Sequence, residues 1–254
     1  MKKKFLIANW KMHLNPRQSR SLVQGYLKYA GTSEHVSTIL CPSFTSLSDV
    51  SALIGKNRSV HIGVQDCFWK TSGSFTGEES PSILYGLGVR YVLIGHSERR
   101  IHLGETDAMV HAKLEGIMEQ SKLKPILCIG ENGGERKSCS TFEILEKQLR
   151  SALNRLKITR QFLIAYEPVW AIGSGTSITP VECKKIADWI RAFLAKRYPS
   201  ISSVTPILYG GSVDLTNAHS IIADGGVDGL LVGSASLHVR SLVKIHDILA
   251  KSSF

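Results

Sequence analysis

A chain of 254 residues with 43% hydrophobic and only 20% charged residues can fill one large core, and no window approaches the run of about 18 apolar residues that spans a membrane. A net charge of +10 suits an anionic partner, nucleic acid or a phosphorylated metabolite, but the lysines and arginines beyond the N-terminal triplet are spread through every helical segment. They form no aromatic-interleaved basic stripe and no nucleic-acid motif, so a solvated surface and a small-molecule partner are expected, with no nucleic acid and no membrane. The scattered Cys41, Cys67, Cys128, Cys139 and Cys183 make no Cys-x-x-Cys pair and meet no His at zinc spacing, which predicts reduced thiols, a cytoplasmic setting and no metal.

At the N terminus, Met1-Lys2-Lys3-Lys4 has the charge of a signal n-region, but Phe5 to Ala8 is too short for an apolar h-region, and export is not expected. The first Val/Ile/Leu-rich run is Phe5 to Asn9. Asn15-Pro16-Arg17-Gln18 follows as a helix start, with a cap, a proline at the first helical position and a capping-box partner at the third. Further apolar runs lie at Ser37 to Cys41, Val60 to Gln65 and Tyr91 to Gly95, then a helix is expected from Asp107. A fifth run at Pro125 to Ile129 precedes a helix from Thr141, and a sixth runs from Phe162 to Glu167. Thr179-Pro180-Val181-Glu182 repeats the capped start, and the last two runs, Pro206 to Tyr209 and Gly229 to Gly233, are followed by helices from Thr216 and Ala235. Eight strand–helix units with no dividing linker predict an α/β fold, a closed parallel (β/α)8 barrel built as one domain over residues 1–254.

Strands of a parallel barrel are buried on both faces, so polar residues at their C-terminal ends have no packing reason to be there. Asn9 and Lys11, Gln65, His96 and Glu98, Glu131, Glu167, and Tyr209 to Ser212 all stand at such ends. The loops at that rim bring distant parts of the sequence together, which makes it the expected site. Glu167 is delivered to the mouth by an apolar strand and followed by Pro168; partial desolvation there strengthens a carboxylate as a base, although a solvated strand-end glutamate is the plain alternative. Lys11 could stabilise negative charge developing on a substrate oxygen, with Asn9 on the same strand face, or could be a surface charge. His96 follows Gly95 and leads into a helix, whose N-terminal partial charge favours a neutral imidazole able to donate a hydrogen bond. Glu98 and Arg99 could equally form a local ion pair. Three glycine-rich turns, Ala171 to Gly175, Tyr209 to Ser212 and Val232 to Ala235, could aim backbone N–H groups at a phosphate.

Taken together, Asn9-Trp10-Lys11-Met12, Gly73-Ser74-Phe75-Thr76-Gly77-Glu78, Gly95-His96-Ser97-Glu98-Arg99-Arg100, Ala165-Tyr166-Glu167-Pro168-Val169-Trp170-Ala171-Ile172-Gly173, Tyr209-Gly210-Gly211-Ser212 and Leu231-Val232-Gly233 resemble the triosephosphate isomerase family along the whole chain. The resemblance implies the TIM-barrel fold and the reversible conversion of dihydroxyacetone phosphate to D-glyceraldehyde 3-phosphate through an enediol(ate), without metal or cofactor. The setting it implies is glycolysis, gluconeogenesis and pentose phosphate metabolism. By the same resemblance Glu167 is the base, His96 the electrophile and proton shuttle, Lys11 and Asn9 the oxyanion-side groups, and Glu98 a support. Phosphate falls to the N–H groups of Gly173, Ser212, Gly233 and Ser234.

Residues Pro168 to Ser177 resemble the family's lid, latched by Tyr209 and Ser212, and Asp66 to Glu79 its interlocking dimer loop, with Thr76 near the tip; a homodimer is implied. Thr176, Ser174, Ser234 and His13 depart from the commonest family pattern, and Ser234 would be strained if its turn needs positive φ. Two rivals are another phosphate-binding (β/α)8 enzyme, opposed by the joint presence of Lys11, His96 and Glu167, and a basic RNA-binding barrel without turnover, supported only by the net charge.

Overall fold

The computed structural model describes residues 3–252 apart from Thr32, Thr159, Arg160 and Ser174, with Gln120 described by its backbone. The expectations resting on Met1, Lys2 and Ser174 lie outside the described residues. Eight strands form: β1 (Lys4–Asn9), β2 (Val36–Cys41), β3 (Val60–Val64), β4 (Tyr91–Ile94), β5 (Lys124–Ile129), β6 (Leu163–Tyr166), β7 (Ile207–Tyr209) and β8 (Gly229–Val232). Each matches its apolar run to within one residue at either end.

Every strand pairs in parallel with its sequence neighbour, and β1 pairs with β8 through Phe5↔Gly229 and Leu6↔Leu230, so the sheet closes on itself. Closure removes the two unpaired edges an open sheet would expose. Side-chain alternation divides the core in two. Phe5 and Ile7 of β1 point into the barrel with Ile39, Leu93 and Leu208, while Leu6 and Ala8 point outward to the layer shared with the helices.

The helices are α1 (Pro16–Tyr29), α2 (Leu47–Ile54), α3 (Pro81–Gly86), α4 (Ser97–His102), α5 (Asp107–Gln120), α6 (Gly133–Lys137), α7 (Thr141–Ala152), α8 (Pro180–Arg197), α9 (Pro199–Ser202), α10 (Ala218–Asp224) and α11 (Val239–Lys251). Both expected capping boxes are present: Asn15 with Gln18 at α1 and Thr179 with Glu182 at α8, each with proline in the first turn. The helices from Asp107 and Thr141 start where periodicity put them.

Two starts differ. Asp214 Oδ1 accepts the N–H and the hydroxyl of Thr216, at 2.7 and 2.6 Å, and this side-chain turn holds Thr216 outside the helix until Ala218. The helix expected from Ala235 is instead a 3-10 turn over Ser234–Leu237, broken by extended His238 (φ −122°, ψ 128°) before α11 begins. Among the described residues, no helix is long and apolar enough to cross a membrane.

Candidate active site

The C-terminal strand ends gather the expected residues around a cavity of about 80 Å³. Asn9, Lys11, His96 and Glu167 line it together with Gly173, Ser212, Gly233 and Ser234. Glu98 stands behind the wall. Its Oε1 accepts a hydrogen bond from Lys11 Nζ at 2.5 Å, so it acts on the site through the lysine. Burial pushes the Glu98 carboxyl up, but the Lys11 hydrogen bond and charge, together with His96, outweigh it and hold the group below its ordinary value. The alternative Glu98–Arg99 pair does not form: Arg99 Nη2 turns to Asp66 Oδ2 at 2.8 Å.

Gly95 takes φ 74°, the turn that lets the chain leave β4 and cap α4 with His96. The Glu98 N–H donates to His96 Nδ1 at 3.2 Å. Because a backbone N–H can only donate, Nδ1 must be the acceptor, and the proton of the neutral ring sits on Nε2. That nitrogen faces the cavity, 3.1 Å from Glu167 Oε1. The other oxygen, Oε2, accepts the Ser97 N–H at 3.0 Å. Glu167 is therefore buried, at 2% exposure, yet served by two donors supplied by the first turn of one helix. A buried carboxylate without such donors would be costly.

Lys11 sits just beyond β1 with φ 48°, a left-handed conformation that costs a non-glycine residue on the order of 1 kcal/mol. Three contacts hold it there. Its N–H donates to Asn9 Oδ1 at 3.1 Å, its carbonyl accepts from Gln65 Nε2 at 2.8 Å, and its ammonium meets Glu98. Ser234 carries no such strain: the non-glycine residues with positive φ are Lys11, Cys139 and Arg155 among the described residues, so the serine costs its turn nothing on that account. The N–H groups of Gly173, Ser212, Gly233 and Ser234 are claimed by no hydrogen bond within the described residues, leaving donors free beside the Lys11 ammonium. An anion is the ligand such a set fits.

Sequence reasoning passed over several parts of this site. Ile172, Val213 and Leu231 complete the cavity wall with apolar surface. Gly130, after β5, lies so close to β6 that a Cβ would fall 1.7 Å from the Glu167 carbonyl oxygen. Glu131 was legible only as an unexplained carboxylate at a strand end. Fully buried, it accepts the Tyr166 hydroxyl at 3.0 and 3.1 Å and Trp170 Nε1 at 3.1 Å, which ties the strand before Glu167 to the segment after it. Burial, then Glu131, raises the Tyr166 hydroxyl well above its ordinary range.

Just past the segment expected to be a lid, the Ile178 N–H donates to the Tyr209 hydroxyl at 3.4 Å, and burial pushes that hydroxyl up to about 12. Ser212 shares the cavity wall and gives its carbonyl to Asn217 Nδ2 at 2.9 Å. Thr176 is exposed.

A buried ion cluster fixes the base of the 66–79 loop beside α4. Lys113 of α5 reaches Asp66 at 2.7 and 2.8 Å and also pairs with Glu105, while Arg99 bridges from α4 to Asp66. The loop closes on itself through Phe68 N–H to the Glu79 carbonyl at 2.9 Å and a stacked Phe68–Trp69 pair. Its outer part, with Thr76, is exposed.

Known proteins resemble this chain along nearly its whole length. The family model described as Triosephosphate isomerase matches residues 4–249. Relatives named triosephosphate isomerase include those of Aquifex aeolicus (strain VF5), 38% identical over 96% of this chain and 98% of the relative, and Moorella thermoacetica, 40% identical over 96% and 98%. The relative from Endomicrobium trichonymphae is 39% identical with the same coverage.

Proposed function

This chain belongs to the triosephosphate isomerase family, and from that premise we propose how its residues divide the work. The enzyme is an isomerase that interconverts dihydroxyacetone phosphate and glyceraldehyde 3-phosphate, a step of glycolysis. Glu167 takes the carbon-bound proton next to the carbonyl, and the electron pair moves onto the carbonyl oxygen. His96 donates from Nε2 to that oxygen, and Lys11, oriented with Asn9, stabilises the negative charge as it develops. Having given its Nε2 proton to that oxygen, His96 takes the hydroxyl proton from the adjacent oxygen, and return of the proton from Glu167 to the neighbouring carbon completes the isomerisation, so these steps need no metal or cofactor. Gly173, Ser212, Gly233 and Ser234 hold the phosphate through N–H groups, and Glu98 positions Lys11.

The observation that carries this reading is the 3.1 Å approach of the protonated His96 nitrogen to Glu167, with Lys11 on the same small cavity. An acid and a base that already share one hydrogen bond can be bridged by one small substrate. Binding must then release Glu167 from the Ser97 N–H, and the 168–177 lid, in a family that itself illustrates such gating, closes over the intermediate to exclude water. A coupled assay with glyceraldehyde 3-phosphate, run beside Glu167→Ala, tests the assignment. Product from the parent alone is expected; equal rates from both proteins would remove Glu167 from its role.

The same reading makes the protein a cytoplasmic homodimer, one barrel domain per chain, joined through the 66–79 loop with Thr76 reaching the partner's site. Large apolar side chains left open in the isolated chain support it, among them Met12 at 95% exposure, Ile101 at 59% and Phe75 at 42%. Sedimentation equilibrium giving a two-chain mass is the expected result, and a monomer at micromolar concentration would overturn it.

A further inference from the structure

The barrel has a second mouth, at the N-terminal ends of its strands, opening on a cavity of about 750 Å³. Six residues of β1 separate it from the catalytic rim, roughly 20 Å at a strand's rise per residue. Its wall is basic: Lys3, Lys56, Arg58, Arg90, Lys122 and Lys124 line it together with His61. The acid on the lining is Asp228, and it is already engaged, accepting Arg191 Nη2 at 3.0 Å and the Ile207 N–H at 2.9 Å. None of the six cations has a carboxylate partner among the described residues. Arg90 and Lys124 rest instead on aromatic faces, Tyr85 at 4.7 Å and Tyr91 at 5.5 Å.

Strand alternation shows that this is a feature of the barrel's inside. Ile126 and Cys128 of β5 belong to the inner core, so Lys124, two residues before Ile126, shares their face. An inner layer is ordinarily filled by branched apolar side chains. Here its bottom level carries a lysine and, from β3, the cavity-lining His61. That imidazole registers the field around it: burial, then Lys3, Lys124 and Arg90, push it down to about 4, and Lys124 is itself lowered by burial and by Lys3. Positive charges crowd at one end of a low-dielectric wall, where the potential is focused rather than screened away.

We propose that this second mouth is a binding site for a compact polyanion carrying two or more phosphate groups, separate from the catalytic site. A single phosphate would leave most of the six cations unanswered. A nucleic acid needs an open track of cations with exposed rings for its bases, whereas these cations surround a concavity and the Tyr91 ring is buried within it.

The test is calorimetric titration of the whole protein with inorganic tripolyphosphate, followed in parallel by the His61 ring signals in NMR. The parent is compared with Arg58→Glu/Lys122→Glu and with the milder Arg58→Gln/Lys122→Gln, all four changes being at exposed positions outside the catalytic machinery. One tripolyphosphate per chain is expected, with a shifted His61 signal, affinity about tenfold or more weaker in the Glu pair, an intermediate loss in the Gln pair, and isomerase turnover unchanged in both. Equal affinity in parent and variants would overturn the proposal. So would absence of binding at millimolar concentration, or displacement by glycerol 3-phosphate with His61 unmoved, which would put the polyanion in the catalytic site. A single-stranded oligonucleotide binding more tightly than tripolyphosphate, with the same sensitivity to the variants, would replace it with a nucleic-acid surface.

Discussion

Gly130→Ala places a methyl group where the structure has no room. The ideal Cβ falls 1.7 Å from the Glu167 carbonyl oxygen and 2.6 Å from its carbonyl carbon, and both atoms are backbone, so no rotamer change relieves the clash. Ordinary contact begins at 3.4 Å, so the Glu167 oxygen would have to retreat by about as much again as the present gap. That movement stretches the 2.7 Å hydrogen bond from the Glu167 N–H to the Ile129 carbonyl and carries the carboxylate away from His96. Overpacking of this kind costs about 1–3 kcal/mol of stability. A displacement of about 1 Å at a reacting group costs on the order of a hundredfold in rate. We therefore expect kcat to fall about a hundredfold with KM changed less, since three of the four proposed phosphate donors, Ser212, Gly233 and Ser234, lie on other loops. Steady-state isomerase kinetics and thermal unfolding measure the two effects, with Gly31→Ala, which meets nothing within 4 Å, as the control. A folded Gly130→Ala protein with the parent's kcat would refute the idea that this contact sets the position of the base.

Three further outcomes follow from the same geometry. Glu167→Asp retracts the carboxylate by one methylene and should lower kcat by about a hundredfold while leaving KM within a small factor, read from initial rates in both directions; a loss confined to KM would contradict the base assignment. Lys113→Met leaves Asp66 and Glu105 buried without their shared ammonium and should destabilise the fold by about 3–5 kcal/mol at neutral pH, seen as a lower denaturant midpoint. Recovery of most of that loss near pH 5 is also expected, because Asp66 in the intact cluster is already raised to about 6 by burial, with Lys113 and Arg99 opposing. His61 is lowered in the folded protein to about 4, so the unfolded chain binds its proton first as pH falls. Stability should drop through the window from about 6.5 to 4, and His61→Asn should flatten that part of a stability-versus-pH curve measured by urea unfolding.

The strands could be read from the sequence because a parallel barrel buries both faces of each one, which turns it into a short unbroken apolar run between polar loops. Asn15 and Thr179 were equally plain, since a cap, a proline and a returning side chain sit within four residues. The stretch after β8 was not: apolar periodicity runs on across His238, and the break there is one of backbone angle, to which periodicity is blind. In the site, Lys11, His96 and Glu167 stood out as polar residues where packing gave no reason for them. Gly130, by contrast, matters for what lies opposite it, and the Asp66–Lys113–Glu105 cluster joins residues 47 and 8 positions apart. Such pairings exist only once neighbouring strand–helix units have packed together. The backbone strain at Lys11 was hidden for a similar reason, because its anchors, Gln65 just past β3 and Glu98 in α4, arrive from distant parts of the sequence.

The pairing of β1 with β8 has a meaning for the nascent chain. Phe5 meets Gly229, so one edge of β1 waits for more than 200 further residues to be made before its partner leaves the ribosome. At about 5–20 residues per second that interval is roughly ten to fifty seconds. During it the strands from β1 onward carry an open edge and an apolar inner face, and Gly233 and Ser234, proposed here as phosphate donors, are made only after β8. Conditions that slow elongation shortly before β8 should therefore favour aggregation of this protein more than the same delay placed before β2.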